Sequence, residues 1–211
     1  QRLKADPGAY SVYCNDGFTL AEMVVAKVSG MPFGQFCREY ITEPIGARST
    51  RTSTTANPEY PLIQEKKKVP EYFYLQGCGG FTTTMIDLCK FGNLFLTKND
   101  VISGESKAEM SKRQGVTFLE EDTASICYGL GWDNVHMFPF GQNGIQALVK
   151  GGDTLRYHAG LIVLPEHDMA VAVLSSGGVS TYNQLAGARI LVDALAQRGI
   201  TVDESWSLPE A

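Results

Sequence analysis

The 211-residue chain has 44% hydrophobic and 19% charged residues, ordinary proportions for a globular protein with a sizeable core. Its net charge of −5, from 18 Lys and Arg against 23 Asp and Glu, excludes the basic stripe that a nucleic-acid surface requires. The longest apolar runs, 161–164 and 169–174, fall far short of the ~20 residues a membrane-spanning helix needs and read as buried strands.

The chain opens Gln1-Arg2-Leu3-Lys4-Ala5-Asp6, with neither an initiator Met nor the charged-then-apolar pattern of a signal peptide, so any targeting segment would lie upstream. After Tyr13-Cys14-Asn15, Leu20, Val24 and Val28 recur at four-residue spacing with Met23 and Val25 beside them. This predicts a helix over 19–29, stopped at Gly30. Pro32 opens a second helix with Phe33, Phe36, Cys37, Tyr40 and Ile41 on one face, Pro44 and Gly46 close it, and the two helices are expected to form a hairpin. Over 48–68 periodicity gives way to Ser, Thr, Pro and charge, including Glu65-Lys66-Lys67-Lys68; this reads as a solvated surface loop, with a substrate-contacting loop as the alternative. Gly77-Cys78-Gly79-Gly80 reads as a tight turn against the core, because no Gly-Lys-Ser/Thr follows to make it a phosphate cradle. Thr84 and Asp87 then form a capping box ahead of Met85, Leu88, Phe91 and Phe95, which predicts a third helix.

In the last third, 128–132, 146–150, 156–164 and 169–174 are short, apolar or β-branched segments and read as successive antiparallel strands, with Pro165-Glu166-His167-Asp168 as a hairpin connection. A closing helix over 181–198 carries Leu185, Ala188, Val192 and Leu195 on one face and stops at Gly199. Helices, then an antiparallel meander, then a final helix give an α+β layout, mostly helical over 1–127 and stranded over 128–211. The five cysteines, Cys14, Cys37, Cys78, Cys89 and Cys127, are odd in number and scattered, and read as free thiols; they lean toward a reducing, cytoplasmic environment, with an exported protein of an anaerobe as the alternative. His136, His158 and His167 lack ligand spacing, so neither a metal nor another cofactor is expected.

Several segments together resemble the serine β-lactamase and penicillin-binding-protein superfamily, specifically its class C β-lactamase and esterase branch. They are Pro7 to Gly17 around Tyr13-Cys14-Asn15, Glu43-Pro44-Ile45-Gly46, Gly79-Gly80-Phe81 with Asp87-Leu88, Tyr128-Gly129-Leu130-Gly131-Trp132, and Lys150-Gly151-Gly152 with Thr154 and Tyr157. Each fragment alone is weak, and their shared order carries the resemblance. It implies a β-lactamase/transpeptidase-like fold, an antiparallel sheet flanked by helices with a helical region, and hydrolysis of a β-lactam, D-alanyl peptide or ester through an acyl-serine. The family's Ser-x-x-Lys motif precedes Y-x-N, yet no Ser-x-x-Lys occurs in the 211 residues. The chain is therefore expected to be the C-terminal portion of one catalytic domain, incomplete at its N-terminus. Its partner would be the segment carrying Ser-x-x-Lys, and a truncation of this kind should leave apolar faces uncovered.

The resemblance assigns Tyr13 as base and acid, although an unperturbed tyrosine titrates near about 10 and needs nearby cations to serve. Asn15 can orient a lysine and bond a substrate amide at once, and is equally a helix cap or turn residue. Lys150 ends an apolar strand and is either an exposed strand-end lysine or, as the resemblance implies, a fixed cation that attracts a substrate carboxylate; Gly151 and Gly152 allow close backbone approach by a ligand. By resemblance the Asp153 N–H supplies one oxyanion donor, while Arg156 either binds carboxylate or covers the sheet. Cys14 should point away from the chemistry. The rival expectation is a non-catalytic binding or regulatory module that keeps the scaffold without its nucleophile.

Overall fold

The computed structural model describes residues 5–53, 73–115 and 127–205. The first helix, α1, spans Asn15–Ser29 and begins four residues before the predicted start. Its cap is Cys14, not Asn15: the thiol accepts the Gly17 N–H at 3.4 Å, Asp16 and Lys27 suit the two ends of the helix dipole, and Gly30 closes it at φ 72°. No apolar period marks 15–18, which is why the sequence placed the start late. The second predicted helix is present as α2, Phe33–Cys37, which widens into a π turn over Arg38–Thr42. There the Glu43 N–H reaches back five residues to the Arg38 carbonyl at 2.9 Å, immediately before Pro44 removes the next donor.

The expected structureless stretch 48–68 is corrected in part. Arg51–Thr52 forms β1, which pairs antiparallel with β2 at Phe81–Thr82; 54–68, with its lysine run, lies outside the described residues. The glycine turn is instead a short helix, α3, Gln76–Gly79. Its Gly77 packs directly on α1, where a Cβ would stand 2.5 Å from the Phe18 carbonyl, while its N–H donates to Glu22 at 2.6 Å. The capping box forms as read: the Thr84 hydroxyl accepts the Asp87 N–H at 3.3 Å at the head of α4, Met85–Gly92. Asp87 also accepts from the Ser49 N–H at 2.7 Å and the Lys90 ammonium at 3.0 Å, which ties α4 to the loop before β1. A further helix, α5 at Gly104–Ser111, has the Ser103 hydroxyl as its cap; its polar sequence carries no apolar stripe and gave no periodic signal.

Among the described residues three strands make the main sheet, in order β3 (Leu148–Asp153), β4 (His158–Leu164) and β5 (Met169–Ser175), all antiparallel, with Lys150 opposite Leu161 and Leu161 opposite Ala172. The predicted strand at 128–132 is not one: Gly131 turns at φ 83°, and pairing comes only further on, as isolated bridges from Asn134 to Val149 of β3 and from His136 to Ala147 just before it. Packing accounts for this, since a Cβ on Gly129 would lie 2.4 Å from the Met110 carbonyl and Trp132 is 4% exposed. The β4–β5 connection is a 3-10 turn at Pro165–His167, with Asp168 left-handed at φ 50°. The closing helix α6, Ser180–Gln197, ends before Gly199 at φ 78°.

Strand alternation sends apolar side chains to both faces of the sheet. Val149, Ile162 and Leu164 meet Leu191, Val192 and Leu195 of α6. Leu148, Leu161 and Val163 meet Leu94, Phe95 and Trp132 on the side of α4, where the Phe95 and Trp132 rings pack edge to face at 4.7 Å. The sheet thus lies between helical layers, the expected α+β arrangement. Among the described residues, no helix is long and apolar enough to cross a membrane.

Candidate active site

The end of α1 that carries Tyr13 meets the middle of β3. Tyr13, 55% exposed, lies just before the helix, and the Lys150 ammonium stands 5.6 Å from its ring centroid, within cation–π range. Two of the predicted residues, 137 positions apart in the chain, are therefore neighbours. Lys150 is held on its other side by Asp133, at 3.0 Å, and by the Gly151 carbonyl at 2.6 Å. Asp133 also accepts the Gly151 N–H at 2.8 Å, so one carboxylate fixes both the lysine side chain and the strand beside it.

Asp133 was not singled out from the sequence, and it alters the reading of Lys150. The ammonium faces a carboxylate of its own chain, so the pair is close to neutral rather than a free cation awaiting a substrate anion. Tyr128, the first residue of the Tyr128-Gly129-Leu130-Gly131-Trp132 motif, also belongs here. Burial first, then the charges of Asp133 and Tyr13, push its phenol up against the opposing effect of a bond from the Tyr13 backbone. It stays a neutral phenol beside Tyr13 at ordinary pH.

The three residues of Lys150-Gly151-Gly152 face different surroundings. A Cβ on Gly151 would stand 2.5 Å from Gln184 Nε2 and 2.7 Å from Ser180 Oγ, so this glycine admits α6 rather than a ligand. A Cβ on Gly152 would meet only Ala159, at 4.0 Å, which leaves Gly152 open. The N–H groups of Val149 and Gly151 point away from β4, to Asn134 and Asp133, whereas that of Thr154 points into the β3–β4 turn, to Tyr157 at 2.9 Å. Alternation then directs the Asp153 N–H away from β4, along the same edge as Gly151. Its carboxylate takes the opposite course, to His158 and Ser180.

Asn15 and Arg156 are not drawn into the Tyr13–Lys150 contact. Asn15 is exposed in the first turn of α1, where its carbonyl accepts the Thr19 hydroxyl at 3.1 Å; among the described residues no hydrogen bond joins its side chain to Lys150. Arg156 is half-buried in the β3–β4 turn, its N–H donating to Thr154 Oγ1 at 3.3 Å. Cys14, expected to point away, is occupied in capping α1.

Comparison with known proteins bears on this arrangement. A family model described as Beta-lactamase matches residues 1–195. The chain is 28% identical over 188 residues to the D-alanyl-D-alanine-carboxypeptidase/endopeptidase AmpH of Escherichia coli K12, covering 82% of this chain and 47% of that protein. It is 25% identical over 171 residues to the putative penicillin-binding protein PbpX of Bacillus subtilis, covering 74% and 41%. Among solved structures, the octameric penicillin-binding protein homologue from Pyrococcus abyssi superposes with a TM-score of 0.68 at 22% identity, over 93% of this chain and 44% of that one. A β-lactamase from Mycobacterium bovis gives 0.65 at 22% identity, over 92% and 66%. The chain spans about half the length of the curated relatives it matches. With the family model covering nearly all of the chain and β-lactamase and penicillin-binding-protein folds as its structural neighbours, the chain belongs to the β-lactamase family.

Proposed function

We propose that Tyr13, Lys150 and the edge of β3 form one wall of a serine-hydrolase site that works through an acyl-serine, with the nucleophile supplied by a Ser-x-x-Lys segment that these 211 residues do not contain. The observation that carries this reading is the Lys150 ammonium 5.6 Å from the Tyr13 ring, anchored by Asp133 and the Gly151 carbonyl. A serine attacks an acyl carbon only as its proton leaves; a tyrosine held as phenolate by nearby cations, Lys150 and the lysine of the Ser-x-x-Lys segment, can take that proton and then, as phenol, return it to the leaving atom. Asn15, exposed in the first turn of α1, would orient the lysine of that segment and bond a substrate amide. The Asp153 N–H, directed away from β4, supplies one oxyanion donor and the serine's own N–H the second. Gly152 leaves room for the substrate against the strand. Arg156, half-buried in the β3–β4 turn, either meets a substrate carboxylate or covers the sheet. The substrate is a β-lactam, a D-alanyl peptide or an ester; the printed activity of AmpH favours the D-alanyl peptide.

Two surfaces support an additional segment. The helix α1 buries none of its residues, with Leu20, Met23, Val24 and Val28 at 62, 62, 60 and 83% exposure. Among the described residues strand β5 ends the sheet with one neighbour, β4, leaving a row of backbone groups for another strand. The test is intact-mass measurement after treatment with a fluorophosphonate or penicillin, on the chain alone and on the chain joined to a Ser-x-x-Lys segment. An adduct should form only on the joined protein, at the serine of that motif. A stable adduct on any serine within the 211 residues refutes the reading, and a joined, folded protein that forms none favours a binding module instead.

A further inference from the structure

The far end of β3 holds a second polar cluster that the proton transfer does not use. Asp153 Oδ1 lies 2.6 Å from His158 Nδ1 and accepts the Ser180 N–H at 2.7 Å, while Oδ2 accepts the Ser180 hydroxyl at 2.6 Å. One carboxylate thus joins β3, β4 and the first residue of α6. His158 is 8% exposed, and its carbonyl accepts the Asn183 amide at 2.8 Å; that amide also reaches Ser175 Oγ on β5 at 3.1 Å. Despite the residue types, this is not a nucleophile with its base. The hydroxyl faces the carboxylate rather than the imidazole, and the Ser180, His158 bonds outweigh burial to hold that carboxyl below the usual range, so it takes no proton from serine.

The position of the cluster gives it a use. Gly151 and Gly152 precede Asp153; both are paired to β4, at Gly160 and Ala159, but neither has a side chain that packs to fix the twist of the strand. An oxyanion donor needs an N–H already aimed before charge develops. We propose that Asp153, His158 and Ser180 act as a latch, the Asp153 side chain being pinned to β4 and α6 so that its own backbone N–H is held at the oxyanion position. His158 and Ser180 are positioning residues, acting through Asp153 without touching substrate. The inference rests on the proposed function for its chemistry, but the pinning itself is a property of this chain.

The test uses Ser180→Ala, His158→Ala and the conservative His158→Asn, whose side-chain N–H can replace Nδ1, in the protein joined to the Ser-x-x-Lys segment. Because the donor acts on the transition state, kcat should fall with KM unchanged. The fall should be on the order of 10-fold or more, below the ~10²–10³-fold loss from removing a donor outright. The infrared carbonyl band of the acyl-enzyme should move to higher frequency in the alanine variants, and His158→Asn should restore both rate and band. Folded alanine variants with wild-type kcat and an unshifted band overturn the latch. A wild-type protein that forms no acyl-enzyme instead refutes the hydrolase reading. In that case amide ¹⁵N relaxation of Gly152 and Asp153 in the 211-residue chain decides the latch: their order parameters should drop from about 0.85 toward 0.6 in Ser180→Ala, and unchanged values overturn it. Ser180→Ala keeps the experiment decisive should loss of the buried imidazole prevent folding.

Discussion

Adding one methyl group to either of two adjacent glycines should have opposite effects. At Gly151 the new Cβ would lie 2.5 Å from Gln184 Nε2, 2.7 Å from Ser180 Oγ and 3.2 Å from Ser180 Cβ. Gln184 can swing its amide aside. Ser180 has less freedom, since its N–H and its hydroxyl are both bonded to Asp153 and it opens α6. Overpacking of this kind costs about 1–3 kcal/mol, and replacing glycine returns about 0.4–1 kcal/mol by restricting the unfolded chain. Gly151→Ala should therefore destabilise by about 1–2 kcal/mol, a fall in Tm of roughly 2–8 °C for a chain of this size. At Gly152 the nearest atom is Ala159 Cβ at 4.0 Å, so Gly152→Ala should match or slightly exceed the wild-type Tm. Thermal unfolding followed by circular dichroism compares them directly. Combining Gly151→Ala with Ser180→Gly should show a favourable coupling of at least about 0.5 kcal/mol, because the second change removes the obstructing side chain. If Gly151→Ala is as stable as Gly152→Ala, the close seam between β3 and α6 is wrong, and with it the reason for a glycine at that place.

Four further outcomes follow from other contacts. Burial alone would raise the Asp87 carboxyl, but bonds from Lys90, Ser49 and Thr50 outweigh it and hold the group low, so its contribution is complete above the unfolded value near about 3.9 and lost as pH falls through the lower folded value. Urea unfolding from pH 7 to 2 should show Asp87→Asn less stable by about 1–3 kcal/mol at pH 7, with the gap to wild type closing below about pH 4. Cys14 is exposed, whereas burial first, with Glu22 second, pushes the Cys37 thiol up to about 11; maleimide labelling read by mass spectrometry should modify Cys14 in the native chain and Cys37 only on unfolding. Phe95→Ala, at a ring 3% exposed against Trp132, should cost about 3–5 kcal/mol in denaturant melts. In the protein joined to its serine segment, Tyr13→Phe should slow acylation by about 10²–10⁴-fold without loss of Tm, measured by stopped-flow with a chromogenic ester or β-lactam.

The elements most legible in the sequence were those whose signal is local. The capping box at Thr84 and Asp87, the glycine stop at Gly199 and the apolar runs that became β4 and β5 are set by residues within a few positions of one another. The segment 128–132 misled for the opposite reason: its aromatic and apolar residues suit a strand, but Gly129 sits under the Met110 carbonyl and Trp132 fills the core beside Phe95, constraints from distant parts of the chain. Helix α5 was hidden because its stability owes nothing to an apolar stripe. Asp133 was hidden because its partner Lys150 lies 17 positions on, with no periodicity linking them.

Lys150-Gly151-Gly152 shows why a motif can be recognised by order and still be misread in detail. From sequence, both glycines had one explanation, room for a ligand. Strand geometry divides them, because neighbouring residues face opposite sides of a sheet. Lys150 goes to the face where α1 brings Tyr13, Gly151 to the face that α6 occupies, and Gly152 back to the first face, where nothing but Ala159 is near a Cβ. Asp153 then falls on the α6 side, within reach of Ser180, while its backbone N–H lies along the edge away from β4. Four consecutive residues thus alternate between reaching the site and anchoring the strand. An insertion of one residue before Lys150 would exchange the two sets, turning the lysine into α6 and the anchoring positions toward Tyr13. The register of β3 against β4, Lys150 opposite Leu161, is therefore as much a part of the candidate site as any side chain in it.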